Sequence, residues 1–280
     1  MNPLYRIVLI GATLHLLTCG AYGQAGAGSF SVSVQSGSNQ PAYATARLPR
    51  PTQGQVIRGM PYSAEQVFDQ TQTLADGTHI TQKTQVTKLF RDSEGRSRTE
   101  RAIFRGMNGS FDGLMIVEIV DPVSGFAYIF DPYNHVAHRF APEGGGGQAR
   151  DAEQTRAVSS PTVHVVTPAQ RQTDRPEVST ESLGSQVIEG VNVEGRKMTR
   201  TLPVGMMGND RPLVSVTESW FSPELRITVL TKHSDPRMGE SVMQLRNIDR
   251  AEPDSSLFRV PPDYQVVDEN GECEIKIVRP

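Results

Sequence analysis

Cysteine, tryptophan and long apolar runs are all scarce in this chain of 280 residues. Its cysteines, Cys19 and Cys273, are too few for a disulfide framework. Hydrophobic residues make up 37% and charged residues 21%, a low apolar share for a chain packed along its whole length. Lysine and arginine number 28 against 31 acidic residues, for a net charge of −3, and no basic stripe stands out. Nucleic-acid binding needs a concentrated positive face to neutralise phosphates, so nucleic acid is not expected as a partner. The apolar run at 7–17 falls short of the roughly 20 residues a membrane span requires. Neither Gly-x-Ser-x-Gly nor a Walker loop occurs, and the numerous serines lack a nucleophile context. The glycines at 144–147 follow Pro142 rather than a buried strand, so they read as linker and not as a phosphate cradle. No cofactor is called for.

What is present begins with an export signal. Arg6 supplies a positive start, 7–17 an apolar centre, and Ala21-Tyr22-Gly23 places small residues for cleavage before Gln24. The mature chain is then periplasmic or secreted, has no transmembrane span, and keeps Cys273 as its one thiol, expected free in a poorly packed tail. Removal of 1–23 takes away Arg6 and no acid, so the charge becomes one unit more negative. The alternative is a lipoprotein attached through Cys19, although Thr18 stands where Gly, Ala or Ser is expected.

The strongest structural signal lies between 186 and 264. Segments 187–203, 213–221, 226–234 and 241–251 are rich in Val, Ile, Thr and Met. Between them stand Gly208-Asn209-Asp210, Ser222-Pro223-Glu224 and Asp235-Pro236-Arg237-Met238-Gly239. Proline presets φ and cannot continue a ladder, while glycine admits positive φ, so these are turns between antiparallel strands. Upstream, Asp76-Gly77 separates two alternating segments, a hairpin signature. Residues 63–70 read as strand, or as one or two helical turns capped by Ser63. Asp121-Pro122 and Asp131-Pro132, ten residues apart, give the rhythm of a β-meander. Residues 253–258 read as a short helical turn docking Leu257 and Phe258.

The fold expected is therefore mainly β: a curved antiparallel sheet or half-barrel with few short helices and a long disordered linker. Residues 24–59 read as a flexible leader, with 29–34 as a candidate edge strand. One domain spans 60–266, interrupted by a Gly-, Ser- and Pro-containing linker at about 142–178, and 267–280 form a tail with β character but no evident partner.

Candidate chemistry is thin. His135 and His138 would point to opposite faces of a strand, and a metal site would have to recruit Asp131 or His164. The acidic pairs Glu118/Asp121 and Asp249/Glu252 resemble ordinary strand-end polarity more than a catalytic dyad. Asn108-Gly109-Ser110 matches a glycosylation acceptor and also marks a turn. The remaining signal is apolar residues on both faces of the later strands: Ile227 and Val229 against Leu230, and Val242 and Ile248 against Met243 and Leu245. Either two layers cover the sheet, or its concave face forms an apolar cavity lined by Trp220, Met243 and Leu245. Trp220, ending a strand before Ser222-Pro223, is expected to anchor the core of the second half.

Residues 61–65, 72–77 and 91–96, with the sequences at 121–125, 218–225, 234–237 and 250–253, resemble a secreted family of unknown function associated with Acidobacteria. That resemblance implies no functional residues. A fainter architectural similarity is to periplasmic lipoprotein-carrier half-barrels, carried by the strand-turn-strand series and the Leu257-Phe258…Pro261 ending. The chain departs from that pattern in lacking helices between 61 and 140 to plug a cavity. Together these features lead to the expectation of a non-catalytic envelope protein binding a lipid or lipidated partner. The alternative is a structural or protein-interaction module of the envelope, and an enzyme of unrecognised type comes third.

Overall fold

The computed structural model describes residues 31–37, 40–52, 54–74, 76–102, 115–142 and 175–278. Its strands make two sheets. The smaller has the order β1 (Ser31–Gly37), β2 (Gln40–Leu48) and β15 (Cys273–Val278), all antiparallel. The larger contains β3 (Tyr62–Thr73), β4 (His79–Arg91), β5 (Ser97–Ala102), β6 (Met115–Val120), β7 (Ala127–Asp131), β8 (Val136–Phe140), β9 (Glu177–Ile188), β10 (Val191–Leu202), β11 (Leu213–Ser222), β12 (Ile227–Asp235), β13 (Gly239–Asp249) and β14 (Gln265–Glu269). Their order is β14-β8-β7-β6-β5-β4-β3-β13-β12-β11-β10-β9, antiparallel throughout except for the parallel pair β14–β8. The outermost strands do not pair with each other, so the sheet stays open rather than closing as a barrel. Among the described residues the helical content is one 3-10 turn, Ser255–Phe258, capped by Asp254, which accepts from the Ser256 N–H at 2.8 Å. The segment at 63–70 lies within β3 and is not helical.

Aspartates make the turns. Asp76 accepts from the Thr78 N–H at 2.9 Å, and Gly77 beside it takes φ of 83°, a value that penalises any side chain. Asp121 accepts from the N–H groups of Val123 and Ser124, and Asp131 from those of Tyr133 and Asn134. The Asn134 side chain also donates to the Lys276 carbonyl, fastening β15 to the β7–β8 turn.

Three cores follow from these pairings. On one face of β6–β8, Ile116, Ala127, Ile129 and Phe140 pack against Ala46, Leu48, Cys273 and Ile275 of the small sheet. Ile119, Phe130 and Ala137 form a second cluster with Val260 and Tyr264 of the segment after the 3-10 turn. The third joins Tyr62, Ala64 and Leu245 to Val191, Val193, Leu225, Ile227 and Val229. Arg91, 7% exposed, donates from Nε to the Met60 carbonyl at 2.9 Å and from Nη2 to the Leu225 carbonyl at 2.5 Å. β12, which follows Leu225, is the third strand along from β4, about 14 Å away in a flat sheet at the usual strand spacing. A single guanidinium spans that interval only because the sheet curves and the β11–β12 turn folds inward.

The structure departs from the sequence reading at both chain ends. The leader expected at 24–59 contains β1 and β2, because Ala46 and Leu48 alternate with exposed Arg47 and bury against Cys273 and Ile275. The edge strand expected at 29–34 forms from Ser31, but it pairs with β2 rather than with the large sheet. The tail has a partner, β2, and β14 carries the large sheet to Glu269. Cys273 is a free thiol, yet it is 1% exposed in a packed core rather than loose. The export segment, Cys19, the Asn108 acceptor, His164 and linker residues 143–174 lie outside the described residues.

Candidate functional site

The three residues expected to line a cavity divide. Leu245 is 1% exposed within the Tyr62–Val229 cluster, and Trp220 packs half-buried against the same cluster. Trp220 stands opposite Gly195 of β10, and a Cβ on that glycine would meet the indole at 2.5–2.7 Å. The glycine therefore leaves the room the ring occupies. Met243, two residues along β13, is outside the cluster, half-buried, and faces Thr231 on one side and Phe68 on the other. Residues i and i+2 of a strand share a face, so Leu245, Met243 and the 42%-exposed Phe68 form one apolar track running from packed core to solvent. Phe68 was missed in the sequence. Its signal is a lone aromatic in the mostly polar sequence Gln66-Val67-Phe68-Asp69-Gln70-Thr71-Gln72-Thr73.

A cleft of about 230 Å³ opens elsewhere, between Phe140, Pro142, Arg50 and the β14–β15 turn at Asn270-Gly271. That is smaller than the roughly 300–1,000 Å³ of drug-sized ligand sites, and none of Trp220, Met243 or Leu245 lines it.

Next to the Leu245 cluster, the Arg91 guanidinium carbon lies 4.7 Å from the centre of the Tyr62 ring. Burial pushes the Tyr62 hydroxyl above its ordinary range and Arg91 below its own. Arg91 bridges β4 to the β11–β12 turn, and the Tyr62 ring packs beneath its guanidinium. The other ionisable groups singled out in the sequence are similarly engaged. His135 pairs with Asp263 and His138 with Glu269, each at 2.7 Å, the second pair joining β8 to the end of β14. Glu118 binds Arg101. Glu252 accepts from the backbone N–H and hydroxyl of Ser93, bonds that hold its carboxyl below the usual range. Asp249 accepts from the Ala251 N–H. Asp92, 1% exposed, accepts from the N–H groups of Glu94 and Arg96 and from the Arg96 guanidinium. Among the described residues no group of three or more His, Cys, Asp or Glu is placed to hold a metal ion. Nor is any described helix long and apolar enough to cross a membrane, which says nothing of strands.

No family model matches the chain, and no curated protein matches it, so the resemblance to the secreted acidobacterial family gains no support. Solved structures do show similarity. An uncharacterized conserved protein from Thermus thermophilus aligns at 10% identity and a TM-score of 0.37, over 75% of this chain and 91% of that one. LprF from Mycobacterium bovis aligns at 12% identity and 0.29, over 74% and 91%. A provisionally named outer membrane lipoprotein-sorting protein domain from Vibrio parahaemolyticus aligns at 7% and 0.25, over 71% and 89%. Likeness at this level carries no argument about function.

Proposed function

We propose that this chain is a non-catalytic exported protein of the cell envelope that binds an apolar ligand, a lipid or a lipidated partner, against its open sheet. The observation that carries this reading is the track from Leu245 through Met243 to Phe68, where the apolar core surfaces with no described layer over it. An alkyl chain laid along that track removes Phe68 and Met243 from water at about 25 cal/mol per Å². The ligand contacts a surface rather than filling a cavity, because the core around Leu245 is already occupied by side chains. The structural use of Asp92, Glu118, His138 and Glu252 is in keeping with a binding role. Native mass spectrometry of freshly purified protein should find co-purified lipid, and Phe68→Ser should lose it. Protein free of lipid, with no uptake on mixing, would sink the reading.

A second reading has its own observation. β9 is a twelve-residue edge strand, exposed along nearly its whole length and carrying Val178 and Val187 at the surface. Such an edge can accept a strand from an envelope protein partner. A proline at Ser185 would abolish that pairing and leave lipid content unchanged.

A further inference from the structure

The turns after β3, β10 and β12 lie at the same end of the large sheet. The register aligns Ser179, Thr199, Val216, Ser234, Glu240 and Thr71 in one row across neighbouring strands, and all three turns project beyond it. Their tips carry Leu74 and Ile80, Val204, Met206 and Met207, and Met238, each between 38% and 61% exposed. At the opposite end the turns after β4 and β6 are built on Asp92 and Asp121, and an exposed apolar residue such as Val123 stands singly. Single exposed apolar groups need no explanation, but six on three adjacent tips do.

We infer that this end of the sheet docks on a lipid bilayer surface, its three tips entering the headgroup region. The site is distinct from the Phe68–Met243 track and stands whether or not that track binds ligand. Lipid, rather than a folded partner, fits the shape and the hydrogen bonding. The tips project beyond the paired row of the sheet and carry their apolar residues exposed. The hydrocarbon beneath the headgroups offers no hydrogen bonds, so the part of a turn that reaches it must satisfy its own backbone, and these turns satisfy much of theirs. Asn209 donates from Nδ2 to the carbonyls of Pro203 and Arg211, and its Oδ1 accepts from the Met207 N–H. The N–H of Gly205 bonds to the Asn209 carbonyl, that of Gly208 to Gly205, and that of Met206 to Pro203. In the other tips the Leu74 N–H bonds to the Thr78 carbonyl and the Met238 N–H to that of Asp235.

The charges behind the tips suit lipid phosphate. Arg200 and Arg211 flank the β10–β11 turn, are exposed, and make no hydrogen bond or ion pair through their side chains with the described residues. Long cationic side chains in that position reach headgroups while their stems lie in the apolar layer. Asp210 and Glu240 offset part of this charge, so insertion of the tips carries more of the binding than attraction does. Arg237, held by Asp235, places Nη1 3.2 Å from Met207 Sδ and so ties the β10–β11 tip to the β12–β13 tip.

The test is co-sedimentation of the mature exported chain with phosphatidylcholine vesicles, with and without a minority of phosphatidylglycerol. The parent protein should bind both, and salt should weaken binding only modestly. Met206→Asp with Met207→Asp should cut binding about tenfold with circular dichroism and melting unchanged. Arg200→Gln with Arg211→Gln should lower binding to the phosphatidylglycerol vesicles while leaving phosphatidylcholine nearly unaffected. Val123→Asp, at the opposite end, should bind like the parent. A parent that binds neither vesicle, as a surface built for a folded partner would, or a Met206/Met207 variant that is folded and binds undiminished, overturns the inference.

Discussion

The β6–β8 block and the β9–β13 blade belong to one sheet and obey opposite rules. In the block both faces are covered: the small sheet lies on one and the segment around Val260 and Tyr264 on the other. β7 accordingly reads Ala-Tyr-Ile-Phe-Asp with four of its five residues buried. In the blade the core cluster gathers at the end near Val191, Ile227 and Leu245, and β9 is exposed at all but two of its twelve positions. The lesson is that strand pairing alone does not decide where stability lies. A ladder supplies hydrogen bonds of about 1 kcal/mol net each, whereas covering both faces adds apolar burial on each side. The block should act as the anchor of the fold, and the blade is free to expose apolar residues.

The largest effect should come from the block. Phe130 is 2% exposed and packs against Tyr264 at 5.5 Å and Tyr128 at 6.2 Å between ring centres. Phe130→Ala should cost ~3–5 kcal/mol of a total of roughly 5–15 kcal/mol, read as a lower urea midpoint. A loss below about 1 kcal/mol would mean that the covering layer is loose and that block and blade are equals.

Gly195→Ala probes the border between the two regimes. The new methyl would land 2.5–2.7 Å from the Trp220 indole, so the ring must leave its place on the Tyr62–Val229 cluster. Overpacking of this kind costs about 1–3 kcal/mol. As the chain's single tryptophan, Trp220 reports the displacement itself: emission should shift to the red and iodide quenching should rise. Unchanged emission would show that the ring does not depend on the glycine. The half-burial of Trp220 also lowers what its own truncation should cost compared with a fully buried ring.

Much of this architecture was legible in the chain. Asp-Gly and Asp-Pro pairs announced turns because their side chains hydrogen-bond the backbone two residues on, a local rule that needs no tertiary knowledge. The small sheet was not legible. Its strands β2 and β15 join residues such as Leu48 and Cys273, more than 200 positions apart, and each is short and half-polar taken alone. The two-faced apolarity of β12 was seen, but its origin was not. Val229 and Leu230 are buried side by side next to a register shift at Trp220/Phe221, and such a shift breaks the alternation on which a face assignment rests. The candidate site was half legible: Leu245 and Trp220 do meet, but in a filled core, and Phe68 takes the exposed place beside Met243.

Cys273 sharpens the comparison from the block's side. Burial, then the nearby Glu269 carboxylate, pushes its thiol up to about 12 from an ordinary value of 9.0. In the unfolded chain the thiol ionises near that ordinary value, while in the folded chain it keeps its proton. Between about pH 9 and 12 the folded state therefore binds more protons than the unfolded one, and stability falls as pH rises. Cys273→Ser or Cys273→Ala should flatten that part of the stability profile. Alkylation of the native thiol at pH 8 should be slow and should accelerate in urea together with loss of the small sheet. Rapid alkylation without denaturant would mean that β15 detaches freely and that this face of the block is open.

The smallest effect should come from the blade's edge, and it is the most direct way to break the comparison. Val187 is 65% exposed on β9, opposite Asn192 of β10, one strand away from the 1%-exposed Val193. The two valines are chemically identical and differ only in cover. Val193→Ser should forfeit most of the roughly 1.5–3 kcal/mol that burying such a side chain supplies. Val187→Ser should fall within about 0.5 kcal/mol of the parent in urea unfolding, as substitutions on an open surface do. A cost at Val187 approaching that at Val193 would have a clear meaning. The outer side of β9 would then be covered in solution, by another part of the chain or by a second copy, and the blade would be a second block. Repeating the measurement at several protein concentrations separates those two covers, because only pairing between copies depends on concentration.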